Sequence, residues 1–183
     1  MKIIAPLKDS EYLNLKIGDE VLINGTIYTA RDAAHKKLIE DINENIKLPF
    51  SLADSIIYYT GPTPTPVNMP IGSAGPTSSY RMDTYAIELM KLGQKIMIGK
   101  GPRSAEFKKE LKKNKAVYLG AIGGAGALIS TCIKSSKIIA YNELQSEAIH
   151  ELIVKDFPAI VIYDSNGNDL IEQETTKYKN LLK

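Results

Sequence analysis

Apolar positions along this chain switch between two periods. In "GDEVLINGTIYTA" (18–30) they alternate with polar ones around an Asn24-Gly25 pair, which predicts a β-hairpin. "RDAAHKKLIEDINENI" (31–46) continues at helical spacing, and "DSIIYYTG" (54–61) is a short β-branched and aromatic strand. "PTPTPVNMPIGSAGP" (62–76) carries four prolines before Gly72 and a fifth at Pro76, so it predicts a long loop. A loop of that length without structure of its own is usually functional or disordered.

The remainder alternates. "TSSYRMDTYAIELMKLG" (77–93) places Tyr80, Tyr85, Ile87, Met90 and Leu92 at rough helical spacing, with Gly93 as its C-cap and Pro76 at its first position. "KIMIG" (95–99), "AVYLG" (116–120) and "KIIAY" (137–141) are short apolar strands, separated by a helix over 102–114 and a Gly-rich loop-to-helix junction from 121. "EAIHELIVKDFPAIVIYDSNGNDL" predicts paired strands around a turn at Ser165–Asn168, with a polar helix or tail behind it. Alternation from about 54 to 141 implies parallel βαβ units, whereas both ends favour hairpins. The expectation is an α/β domain with a mixed sheet or more than one sheet, and neither an internal repeat nor a linker divides it.

Composition narrows the function more than the fold. At 183 residues, with 44% hydrophobic and 24% charged, the chain fits one domain with a real core. A net charge of +2 gives no case for nucleic acid. No stretch approaches the ~18 apolar residues of a membrane span. The start lacks a basic segment followed by an apolar one, so a cytoplasmic location is expected. One cysteine, Cys132, excludes an internal disulfide framework and any three-thiolate metal or iron–sulfur site built by this chain alone. With only His35 and His150, a self-contained zinc site is not expected either.

Candidate chemistry gathers at element junctions. Thr77 and Arg81 are four apart; on a helix starting near Pro76 they share a face at the positive dipole end. A planar guanidinium there matches a carboxylate, with Ser73, Ser78 and Ser79 as further donors; the alternative is an ordinary N-cap with a surface arginine. Arg31 sits at a strand-to-helix junction against the dipole, which favours Asp32 as a cap; either Arg31 reaches an anion or it is merely solvated. Lys100 ends an apolar strand, where open α/β sheets place ligand groups. Arg103 binds an anion or is exposed, His35 reads as packed, and Cys132 as a buried inert thiol. "GAIGGAGA" (120–127) has glycines spaced wrongly for a dinucleotide fingerprint, which leaves a small nucleotide-binding domain as a weak alternative.

Together "GTIYTARDAAHKK", "IIYYTGPTP", "PIGSAGPTSSYRMD", "IMIGKG", "AVYLGAIGGAGAL" and "EAIHELIVKDFPAIVIYDSNGND" resemble the beta component of class I, iron–sulfur-dependent fumarate hydratases and L(+)-tartrate dehydratases. The resemblance runs from about residue 18 to 169, within a single beta-type domain over 1–183. It implies a swivelling three-layer β/β/α fold and a separate beta subunit. It also implies a 4Fe–4S cluster held by three cysteines of a partner alpha subunit, and an assembly of two alpha and two beta subunits. By the resemblance, Arg31, Arg81, Lys100 and Ser78 contact a small dicarboxylate and Thr77 is the proposed catalytic residue; Ser78 stands where threonine is common. Fumarate hydration to S-malate is the expected reaction. Tartrate dehydration is the alternative, and a non-catalytic binding module of the same fold is a further one.

Overall fold

The protein's computed structural model describes residues 1–7, 11–53 and 55–181. Among the described residues, seven strands form one mixed sheet: β1 (Lys2–Ala5), β2 (Glu20–Thr29), β3 (Ile56–Tyr58), β4 (Ile96–Gly99), β5 (Val117–Gly120), β6 (Ile133–Ala140) and β7 (Ile149–Tyr163). Five α-helices accompany them there: α1 (Asp32–Asn43), α2 (Asp83–Lys91), α3 (Ala105–Lys113), α4 (Gly126–Cys132) and α5 (Leu170–Leu181). None of them is long and apolar enough to cross a membrane, among the described residues. The parts of the strand and tail expectations that fall on Asp54 and on 182–183 lie outside the described residues.

Strand order is β1-β2-β3-β4-β5-β7-β6, and β2 pairs again with β7, so β2, β3, β4, β5 and β7 close into a five-strand barrel. β1 through β5 pair in parallel, as the βαβ reading of the middle requires. The mixed α/β expectation holds, with one sheet curled onto itself and helices packed outside it. Alternation along the strands sorts two cores. Ile23, Ile27, Ile56, Tyr58, Ile98, Leu119, Leu152 and Phe157 fill the inside. Ile57, Tyr59, Met97 and Tyr118 face outward onto Ala34 and Leu38 of α1, Ala86 and Met90 of α2, and Phe107 and Leu111 of α3. Phe107 and Leu111 are fully buried, worth roughly 2–3 kcal/mol each; that holds a nine-residue helix which alone would be marginal.

Three local expectations are overturned. Residues 18–30 do not form a hairpin: Asn24-Gly25 lies inside β2, opposite a bulge. Ile23 faces Phe157 and Gly25 faces Val154, so β7 uses one residue more than β2 there. That extra residue lets Leu152 and Val154 share the barrel interior with Phe157, Ala159 and Val161. Asn24 fixes the bulge by accepting the Asp156 N–H at 3.0 Å, and Asp156 takes φ 52°. Gly25 has φ 100°, and a Cβ there would lie 2.0 Å from the Ala5 carbonyl oxygen. At the other end, the turn after Asp164 closes only one bridge, Tyr163 to Asp169, before α5 begins. The C-terminal antiparallel pair is β6 with β7, so 137–141 is not a third parallel strand.

The third correction bears on function. The helix expected from Pro76 begins only as a 3-10 turn over Ser79–Met82, which runs into α2. Before it the chain is extended: Pro76 bridges Thr60 and Ser78 bridges Lys100. The N–H of Thr77 donates to Tyr59 O at 2.8 Å and that of Ser79 to Lys100 O at 3.0 Å. Those donors are therefore spent, and no helix N-terminus faces a ligand at Thr77. Residues 62–76 do form a loop, tied down where Tyr58 Oη donates to Ala74 O (2.6 Å) and Thr60 Oγ1 to Gly75 O (2.7 Å).

Candidate functional site

The parallel strands deliver the candidates to one edge of the barrel. Arg31 follows the end of β2, Lys100 the end of β4, and Thr77 with Ser78 runs across the ends of β3 and β4 through the bonds just described. This is the carboxyl edge, where α/β sheets present their ligand groups.

Arg81 lies in the 3-10 turn and reaches back: its Nη2 donates to Thr77 Oγ1 at 2.7 Å. The same nitrogen lies 3.1 Å from Asp32 Oδ2. Asp32 Oδ2 also stands 3.4 Å from Arg31 Nε, and Arg31 Nη2 is 3.3 Å from Glu147 Oε1. A chain Thr77–Arg81–Asp32–Arg31–Glu147 thus runs along the edge, half-buried. Asp32 does not cap α1, contrary to expectation. Arg31 occupies the N-cap position in extended backbone, and Glu147 accepts the Ala33 N–H at 2.8 Å. The cation that offends the helix dipole is held by Asp32 and Glu147, one on each side.

Gly61 makes room for this arrangement. A Cβ there would lie 2.9 Å from Arg31 Nη1 and equally close to the Ser146 carbonyl oxygen. Ser78 and Lys100 come together as backbone neighbours. The Lys100 side chain lies over Gly123, whose Cβ would sit 3.7 Å from Nζ. Its ammonium makes no ion pair among the described residues. Lys100 also borders a cavity of about 370 Å³ lined by Tyr118, Ile122, Ile160 and Ile162. Geometry therefore unites Thr77, Arg81 and Arg31, and brings in Ser78 and Lys100 from the neighbouring strand end. Ser79, expected as a further donor to a ligand, is buried instead. Its Oγ accepts from Lys100 N–H (3.0 Å) and Tyr118 Oη (2.9 Å).

A charged layer underlies the edge. Arg103 is not exposed. Its Nε meets Asp83 Oδ1 at 2.5 Å with the guanidinium fully buried and 3.4 Å from the Phe107 ring centroid. His35 is buried, with Nδ1 3.1 Å from Arg31 O and its ring edge-on to Tyr59. Burial lowers its pKa to about 4, with the Arg103 charge acting the same way. Glu147, Gly61 and Asp83 were missed as site residues. Glu147 reaches α1 across 114 positions, and no local pattern announces such a contact.

No group of three or more His, Cys, Asp or Glu side chains is placed to hold a metal among the described residues, and Cys132 is the chain's single thiol. These residues do not fit a 4Fe–4S cluster, which needs several thiolates.

Comparison with known proteins identifies the family. A family model described as the fumarase C-terminus matches residues 2–174, and the chain belongs to that family. The aerobic class I fumarate hydratase of Escherichia coli K12 is 40% identical over 172 residues, covering 92% of this chain and 31% of that protein. Fumarate hydratase 2 of Leishmania major is 40% identical over 157 residues, 84% of this chain and 28% of that protein. A Methanocaldococcus jannaschii protein, provisionally named L(+)-tartrate dehydratase subunit beta, is 42% identical over 177 residues, with 93% and 91% covered. The chain thus spans about a third of the length of the class I fumarate hydratases it matches, and nearly all of the beta subunit.

Proposed function

We propose that this chain is the beta part of a hydro-lyase for a four-carbon dicarboxylate, adding water to fumarate to give S-malate. The observation that carries the reading is the Arg81 Nη2 donation to Thr77 Oγ1 at 2.7 Å, with Arg31 joined to Arg81 through Asp32. Arg31, Arg81 and Lys100 supply cations for the two carboxylates, and Ser78 a hydroxyl. Removing the C3 proton of malate builds negative charge on the adjacent carboxylate, which fixed cations stabilise. Thr77 is a poor base in water. A guanidinium N–H on its oxygen favours negative charge there, which gives Thr77 the role of the group at that proton.

A partner alpha subunit would hold the 4Fe–4S cluster that the resemblance implies, two alpha and two beta subunits completing the enzyme. A cluster on thiolates suits a reducing compartment, hence a cytoplasmic location. The chain acts in this reading as one beta-type domain over 1–183 that swivels to close on its partner. The barrel's two walls are then the paired β layers, and α1, α2 and α3 the third.

Tartrate is the second reading, favoured by the M. jannaschii relative, a protein of nearly the same extent as this chain. The test is co-expression with an alpha subunit, anaerobic cluster reconstitution, and fumarate absorbance with malate, then tartrate. Turnover of malate by the complex alone supports the first reading, and tartrate alone the second. Neither would move the chain to a non-catalytic binding module. In the active complex Thr77→Ala should lose about 10²–10⁴-fold in kcat. Turnover close to wild type would remove Thr77 from the proton step.

A further inference from the structure

Asp32 is the one carboxylate that touches both candidate arginines among the described residues. Together with Glu147 it makes the cluster two guanidinium and two carboxylate groups, neutral in sum. The fold does not demand this carboxylate: the side chain is 35% exposed, and Glu147 rather than Asp32 accepts an N–H of the first turn of α1, that of Ala33. Its Oδ2 sits where a ligand carboxylate would have to sit to bind Arg81 on the Thr77 side, since one nitrogen, Nη2, serves both Asp32 and Thr77.

Resting on the reading that these arginines take substrate carboxylates, we propose that Asp32 is an internal competitor. It holds the two guanidinium groups side by side before a ligand arrives and yields Arg81 to the ligand. Any ligand carboxylate that takes Arg81 must then displace a carboxylate tethered to the same chain, at a cost common to every such ligand. A dicarboxylate offsets that cost, because its second end gains a further cation once the first is bound. Asp32 thereby weakens one-carboxylate and two-carboxylate ligands by the same factor and sets the affinity that a ligand must reach through its other contacts.

The test uses succinate and butyrate, titrated into the full chain by NMR and used as inhibitors of the assembled complex. Wild type, Asp32→Asn and Asp32→Glu are compared, with thermal melting to confirm that each is folded. Asp32→Asn should tighten butyrate and succinate alike, each by about two- to fivefold, the scale of one half-exposed ion pair. Asp32→Glu, which keeps the charge, should keep both affinities near wild type. The idea is overturned if Asp32→Asn weakens either anion or leaves both unchanged, or if neither anion binds any of the three proteins. Should the complex turn over neither malate nor tartrate while butyrate still gains in Asp32→Asn, the functional reading fails and the competitor role stands.

Discussion

At the scale of single residues, burial rather than motif separates the roles. His35 and Arg31 lie in the same short stretch, yet Arg31 reaches the edge while His35 faces the interior. Burial holds the folded-state pKa of His35 near 4, against 6.5 for an unperturbed imidazole. Above pH 6.5 both folded and unfolded chains carry it neutral, and it adds no pH dependence. As pH falls from 6.5 to 4 the unfolded chain takes up a proton that the folded chain refuses, so stability drops; below 4 the loss levels off. The expected loss over that window is about 3 kcal/mol. His150, lowered by partial burial, adds in the same direction. Denaturant titrations at stepped pH should show this slope, and His35→Gln should flatten most of it. An unchanged slope in that variant would refute the assignment. From sequence, Arg31, Thr77 and Arg81 were legible as anion-binding types at junctions. Asp32 was legible only as a cap, because its contact with Arg81 crosses 49 positions from 32 to 81.

At the scale of elements, local signals had the right sign and the wrong context. Asn-Gly favours positive φ in a hairpin turn and equally beside a bulge; only the partner strand, more than a hundred residues later, decides. The helix read from Pro76 starts late because Thr77 and Ser79 find strand partners at Tyr59 and Lys100, which give their N–H groups better use than a free helix end. What fixes the helix after that delay is Asp83. It opens α2, pairs with Arg103 at 2.5 Å and accepts the Ser104 N–H at 2.7 Å, next to the start of α3. It therefore ties Arg81, two residues before it, to the segment that carries Lys100. Asp83→Asn leaves a buried guanidinium uncompensated and should cost about 3–5 kcal/mol. Adding Arg103→Met should recover much of that, as urea midpoints of the single and double variants would show. A single-variant loss below about 1 kcal/mol would mean that the pair is solvated and ties nothing.

At the scale of the whole molecule, the parallel strands β3, β4 and β5 were readable from short apolar runs, but β1, the single strand β2 and barrel closure were not. It rests on β2 meeting β7, a pairing that neither strand's pattern encodes. Closure brings the ends of β2, β3 and β4 to one rim, yet it leaves that rim open: Arg31 keeps 26% of its side-chain surface and Arg81 38%. Charges this exposed act through water and are screened by salt. A partner that covered the rim would exclude the water and strengthen the same contacts without moving them. Succinate should therefore bind the isolated chain weakly, and several-fold more weakly when salt rises from about 0.05 to about 0.5 M. In the assembled complex the KM for the substrate should change by less than about twofold over the same range, because the site is no longer screened. Calorimetry on the chain and initial rates on the complex give both numbers. Equal salt sensitivity in the two would mean that the partner does not close this rim, and that the arginines meet their ligand in open water.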